Sequence, residues 1–353
     1  MQIFEDKKPD SHLNLPNLLL TTHHETSHVR IQLPLAGSLV RANFESFHPR
    51  LRRSWKVCCQ DRREAKLMGV RFAAKVGVAP MLSLPPAANS ADCWLLPSAD
   101  HVRLTRFGIK SAGGGPHQSK TMMFGDLSSL FASGQLENPA DAILGNNLLG
   151  KPSTRARQAA LYNLQQLYGV GGTDPIWLVL QALWIRETGQ RPLLGLLTAL
   201  ARDPALRDGA SAVLDASPGE RVRWPEIAAA FEATNVGRLS EKMAKSLAQN
   251  AASSWTQAGF LRGAVRKERV RSNPTPIIAA FAALLASLCG FGGYRLLESR
   301  WMSVLDRPVE DRLALLRQAE GLGLVRVRSA GDVLEVDVRR PMADQLGVAE
   351  LVS

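Results

Sequence analysis

The sequence predicts a mainly α protein: a helical front domain followed by winged-helix-like units with short β-hairpins. Three observations lead there. Helix starts are announced by a capping residue and then proline, at Asn138-Pro139, Asp174-Pro175 and Thr275-Pro276. Apolar residues recur at helical spacing through most of residues 122–353, and a helix followed by two short strands occurs twice towards the end. Proline suits the first helical position because its missing N–H would have been unpaired there. With 353 residues the chain has enough material for one large or two modest cores.

The first third is different in kind. It holds all seven histidines (12, 23, 24, 28, 48, 101 and 117) and three of the four cysteines, Cys58, Cys59 and Cys93. LNLPNLLLTTHHETSHVRIQLPLAG and MLSLPPAANSADCWLLPSAD break at prolines before a face of either period builds up. We expect residues 1–121 to be upstream sequence translated from a misplaced start, with Met122 or Met123 the functional one. A disordered basic arm is the alternative.

From MMFGDLSSLF onward the elements follow in order. ADAILGNNLL and STRARQAALYNLQQLY read as two short helices, the second carrying Ala160, Leu161, Leu164, Leu167 and Tyr168 on one face. PIWLVLQALWIRE and PLLGLLTALARD are too apolar for a surface position and should form the centre, where Trp177 and Trp184 also belong. SPGERVRW reads as a turn, with Trp224 a poor cap for PEIAAAFEAT. Ser240 to Ala258 is a long helix whose stripe is Met243, Leu247, Ala251, Trp255 and Ala258. FLRGAVRKERVRSNPTP reads as strand, connection and strand. The run Ile277–Cys289 is too short to span ~30 Å of hydrocarbon and reads as a buried helix, so no membrane contact is expected. PVEDRLALLRQAEGLG and LVRVRSAGDVLEVDV repeat the order helix, then hairpin. The expected domains are thus 122–235, helical, and 236–353, winged-helix-like.

The net charge of +11 would suggest a polyanionic partner. Residues 1–120 hold 17 Lys plus Arg against 9 Asp plus Glu, however, and residues 121–353 hold 26 against 23, so +8 of it lies in the first third. Only local clusters can carry a nucleic-acid argument. The densest is Arg262, Arg266, Lys267, Arg269 and Arg271 against Glu268, on the expected hairpin. The helix before it turns Lys242, Lys245, Gln249, Ser253 and Thr256 away from its apolar stripe, offering groups that contact phosphates and base edges. Lys151, Arg155 and Arg157 form a third group, at a helix start. Each set also suits an ordinary solvated face.

Chemistry is expected to be absent. GGPHQSKT follows the phosphate-loop pattern except that Ser119 stands where the second glycine belongs, and no clear strand precedes it. The cysteines form no CxxC pair, His23-His24 lacks spaced partners, and no metal or cofactor is expected. After Met122 there is no histidine and only Cys289, so the usual base and nucleophile are missing. Asp203, Asp208, Glu226, Glu232, Glu310 and Asp311 sit where capping and salt bridging explain them. We expect no enzyme, and a reduced, cytoplasmic protein.

NNLLGKPSTRARQAAL, ALARDPALRD and SLAQNAASSWTQAGFLRG follow one another between Asn146 and Gly263, the most specific pieces being Asn147-Leu148-Leu149 with Lys151 and Ser153, and Ala258-Gly259-Phe260-Leu261. This order resembles the BrxA proteins of BREX phage-defence systems, or a related defence-island family. The resemblance implies a helical, non-enzymatic DNA-binding accessory subunit beside methyltransferase and ATPase components. DNA and other defence-system subunits are then the expected partners, with a protein–protein scaffold as the alternative.

Overall fold

The computed structural model describes residues 93–235 and 237–352, and upstream of them the backbone of three strands. These are β1 (Leu19–Thr22), β2 (His28–Gln32) and β3 (Leu39–Asn43), an antiparallel sheet in the order β1-β2-β3 with Leu19 opposite Gln32 and His28 opposite Asn43. They belong to a unit of residues 1–84, separate from the unit of residues 85–353. His23-His24, Cys58 and Cys59 lie outside the described residues.

The ordered part was expected to begin at Met122 or Met123, but residues 93–121 already pack into the second unit. Leu96 donates its N–H to the Cys289 carbonyl at 3.1 Å, and Trp301 Nε1 donates to the Trp94 carbonyl at 2.7 Å. Asp100 caps α1 (His101–Phe107), which ends at Gly108 and buries Leu104 and Phe107, with Ile109 just beyond. After a turn at Pro116–Gln118 come α2 (Phe124–Ser133) and α3 (Thr154–Tyr168), whose Ser153 cap accepts from the Ala156 N–H. Between them ADAILGNNLL forms a π-type turn, Asp141–Gly145, instead of a regular helix.

The two apolar helices are where hydropathy put them. In α4 (Pro175–Arg186) and α5 (Arg191–Arg202) leucines face inward almost all round, and Trp177 and Trp184 are buried, with Phe131 stacked on Trp184 at 4.2 Å. Asp174 caps α4, its carboxylate accepting from the Trp177 N–H at 3.1 Å. Two short turns, α6 (Pro204–Asp208) and α7 (Ser211–Leu214), lead to β4 (Arg221–Val222), α8 (Trp224–Thr234), α9 (Glu241–Gln257), β5 (Leu261–Arg262) and β6 (Lys267–Arg269). The three strands form a sheet in the order β4-β6-β5. SPGERVRW is therefore a strand as well as a turn, and α8 starts on a reciprocal bond in which Glu226 accepts from the Arg223 N–H. The expected division at 235/236 is not a boundary, because Val222 pairs with Lys267 across it and α8 packs on α9.

Thr275 caps α10 (Pro276–Leu288), in which every side chain from Ile278 to Ala286 is buried. It is the core helix of the remaining elements: α11 (Gly293–Glu298), α12 (Arg300–Ser303), α13 (Val309–Gly321), the hairpin of β7 (Arg326–Ala330) and β8 (Val333–Asp337), and α14 (Arg339–Leu346). Ala330 opposes Val333, so the hairpin turns on Gly331 and Asp332 as the alternation indicated. The fold is mainly helical, with few strands in small sheets. Among the described residues no helix is long and apolar enough to cross a membrane.

Candidate nucleic-acid interface

The helix α9 is laid down by its cap and its stripe. Ser240 accepts from the Met243 N–H, and Leu247, Ala248, Ala251, Ala252, Ser254 and Trp255 turn inward. Met243 is 39 % exposed and so does not belong to the buried stripe. Lys242, Lys245 and Gln249 face solvent, whereas Ser253 is half-buried. Lys245 Nζ lies 5.3 Å from the centre of the Trp224 ring, itself partly exposed at the start of α8. That pairing was not legible, since Trp224 and Lys245 are 21 positions apart on different helices. It extends the exposed face of α9 towards β4, whose Val222 pairs with the hairpin.

The hairpin divides the expected basic cluster. Arg262 and Arg266 are exposed at the turn, together with Val265 at 94 %. Arg262 meets Glu268 at 3.4 Å with both side chains well exposed, an arrangement worth little and easily exchanged for another anion. Lys267 is half-buried and donates to Thr256 Oγ1 at 2.7 Å, and that burial pushes its pKa down. Arg269 overturns the expectation outright. It is 1 % exposed, its Nε donates to the Val213 carbonyl at 2.9 Å, its Nη1 donates to the Val270 carbonyl and its Nη2 pairs with Asp306 at 3.0 Å. The guanidinium also sits 4.7 Å from the Phe260 ring centre, so it is a core cation and cannot touch a polyanion. Arg271 is exposed but lines a separate recess with Arg300, Arg307 and Arg312.

The third group does not form a site either. Lys151 pairs with Asp126 at 2.9 Å, and Arg157 donates to the Leu144 carbonyl at 2.7 Å and to Thr154 at 3.1 Å. Arg155 alone of the three is exposed, and Ser153 already occupies the helix start as its cap. What remains exposed, then, is Lys242, Lys245 and Gln249 on α9, and Arg262 and Arg266 at the hairpin turn.

A second constellation lies beneath α9. His117, expected to fall in the leader, is fully buried with Nδ1 2.7 Å from Asp203 Oδ2 and Nε2 2.8 Å from Ser254 Oγ. Asp203 also accepts from the His117 and Ala205 N–H groups, both at 3.0 Å, while Ser254 Oγ accepts from the Met122 N–H at 2.8 Å. Burial works to raise the Asp203 carboxyl, but the hydrogen bonds and charge of His117, with those two N–H groups, outweigh it and hold it below the usual carboxylate range. The residue types are those of a nucleophilic triad, yet all three side chains are sealed in, so no substrate reaches the hydroxyl in this conformation. Their visible work is to fasten the Gly113–Thr121 loop to α5 and α9. Gly115 does approach an anion, but it is Asp203: a Cβ there would lie 2.0 Å from its carboxylate oxygen. The serine in the phosphate-loop pattern thus follows a turn fitted to the chain's own carboxylate.

No family model, curated protein or solved structure matches the chain.

Proposed function

We propose that residues 221–269 act as a winged-helix-like unit that binds duplex DNA, with α9 in a groove and the β5–β6 turn along the backbone. One observation carries the reading: α9 turns Lys242, Lys245 and Gln249 to solvent, and the hairpin that follows it exposes Arg262 and Arg266 at its turn. The order strand, helix, helix, hairpin and the sheet order β4-β6-β5 support it. The cations would position the unit on phosphates, and the Gln249 amide is the group suited to a base edge. A second helix and hairpin, α13 with β7 and β8, carries exposed Arg326 and Arg328 and extends the same proposal. The likeness of residues 146–263 to BrxA supports a non-enzymatic accessory role in phage defence, in the cytoplasm beside other defence-system subunits.

The test is fluorescence anisotropy with a labelled duplex of ~25 base pairs over a salt series. The combined variant K242E/K245E/R262E/R266E is expected to lose about 100-fold or more in affinity at low salt, and to flatten the salt slope by ~0.9 for each phosphate it no longer neutralises. Arg269 is unsuited to this test because its reversal would leave Asp306 facing a buried like charge. Salt-independent binding, or full affinity in the variant, would overturn the reading and favour the protein scaffold.

A further inference from the structure

Where β6 runs on towards α10, Arg271 meets a recess of about 420 Å³ that it shares with Asp215, Arg300, Asp306, Arg307 and Arg312. The volume lies within the range of small-molecule sites. Its charges do not cancel. Asp215 is engaged by Arg300, with Nη1 at 2.5 Å and Nη2 at 3.2 Å. Asp306 is engaged from behind, by the buried Arg269 at 3.0 Å and by the Ser272 N–H at 2.8 Å. That leaves Arg271, Arg307 and Arg312 with no carboxylate at ion-pair distance among the described residues.

Two of these three cations are held by neutral groups that fix their direction without neutralising them. Arg307 Nη1 donates to the carbonyls of Ser272 at 2.8 Å and Asp306 at 3.0 Å. Arg312 donates from Nε to the Arg307 carbonyl and from Nη1 to the Leu297 carbonyl, both at 2.7 Å, which leaves its Nη2 for another acceptor. Burial pushes the Arg312 pKa down, against the opposing pull of the Asp306 and Glu298 carboxylates. A recess that Arg271, Arg307 and Arg312 line, two of them held in place and none in an ion pair among the described residues, suits an anion of high charge.

We propose that this recess binds a phosphomonoester dianion, its oxygens received by Arg271, Arg307 and Arg312. Planar guanidinium forks match phosphate oxygens two at a time, and a charge near −2 answers three cations better than a monovalent carboxylate does. Leu214 and Pro308 are the apolar lining, with no aromatic surface for a base, so recognition is of the phosphate group. The phosphate can come from a free small molecule or from the 5′ end of a DNA strand. The inference is independent of the reading of α9, whose residues it does not use.

Isothermal titration of the full chain with inorganic phosphate and with a nucleoside monophosphate, each against the unphosphorylated nucleoside at equal ionic strength, tests it. Saturable binding that needs the phosphate is expected, weakened about tenfold or more by R271Q, which removes an exposed side chain with no hydrogen bond of its own, and unchanged by R340Q at an exposed position of α14. A duplex with 5′-phosphate ends compared with one bearing 5′-hydroxyl ends separates the two sources: an Arg271-dependent preference assigns the DNA end, and its absence alongside monophosphate binding assigns a free ligand. Heats no greater than those of chloride for both phosphate probes and no end preference, or binding that R271Q leaves intact, would overturn the proposal.

Discussion

Arg269 and His117 illustrate how far a residue's neighbours decide its work. Arg269 lies in the most basic stretch of the chain, yet it is spent on Asp306 and two backbone carbonyls. Its sequence signal is identical to that of exposed Arg266 three positions away, and only the pairing of β6 with both β4 and β5 separates them. His117 holds Asp203 in a buried pair, so H117Q should strand the carboxylate and cost ~3 kcal/mol, about 6–12 °C in Tm for a unit of this size. The pH dependence has a definite sign. A carboxyl whose folded pKa is depressed adds stability above its unfolded value, near 4, and that stability fades as pH falls through the folded value. Thermal unfolding should therefore show a gap between wild type and H117Q that is full at pH 7 and shrinks below about pH 4. Coincident melting at pH 7, or a gap that does not respond to acid, would count against this role.

At the scale of elements, the α9 face and its Trp224 neighbour make separable contributions. Lys245 carries charge and Trp224 does not, so in the DNA reading K245A should reduce the salt slope by about 1, whereas W224A should weaken binding with the slope unchanged. Salt titrations of the two variants decide it, and an equal fall in slope for both would refute the division of labour. Elements were legible where a local rule sufficed. Asp174 and Thr275 cap α4 and α10 through their own side chains, and the alternation of residues 326–337 specified β7 and β8. β4 was hidden because two residues hold no period, and its strand character comes from β6, 45 residues later. On the candidate face the exposed cations of α9 and the hairpin turn could be read, but the burial of Arg269 and the contact of Lys245 with Trp224 depend on tertiary pairing.

At the scale of the whole second unit, the sharp change of composition near residue 120 proves not to be a structural boundary. Residues 93–121 contain glycine, proline and histidine because they wrap a core built by other segments, and a wrapping chain needs buried side chains at irregular intervals instead of a continuous face. Leu96, Leu104, Phe107 and Ile109 are buried in that core, and Trp94 contacts Trp301 edge-on at 4.8 Å. At ~1.5–3 kcal/mol for each fully buried apolar side chain, the four contribute on the order of 10 kcal/mol, as much as the whole net stability of a typical domain, ~5–15 kcal/mol. The same stretch supplies His117, whose loss leaves Asp203 and Ser254 without their partner. A chain begun at Met122 is therefore expected to lose cooperative unfolding and to expose the apolar surfaces of α5 and α10, read as a lost calorimetric transition and increased dye binding relative to the full chain. A sharp transition at the full chain's Tm would mean that the wrap adds nothing to the core, and that the break in composition marks a true end of the fold.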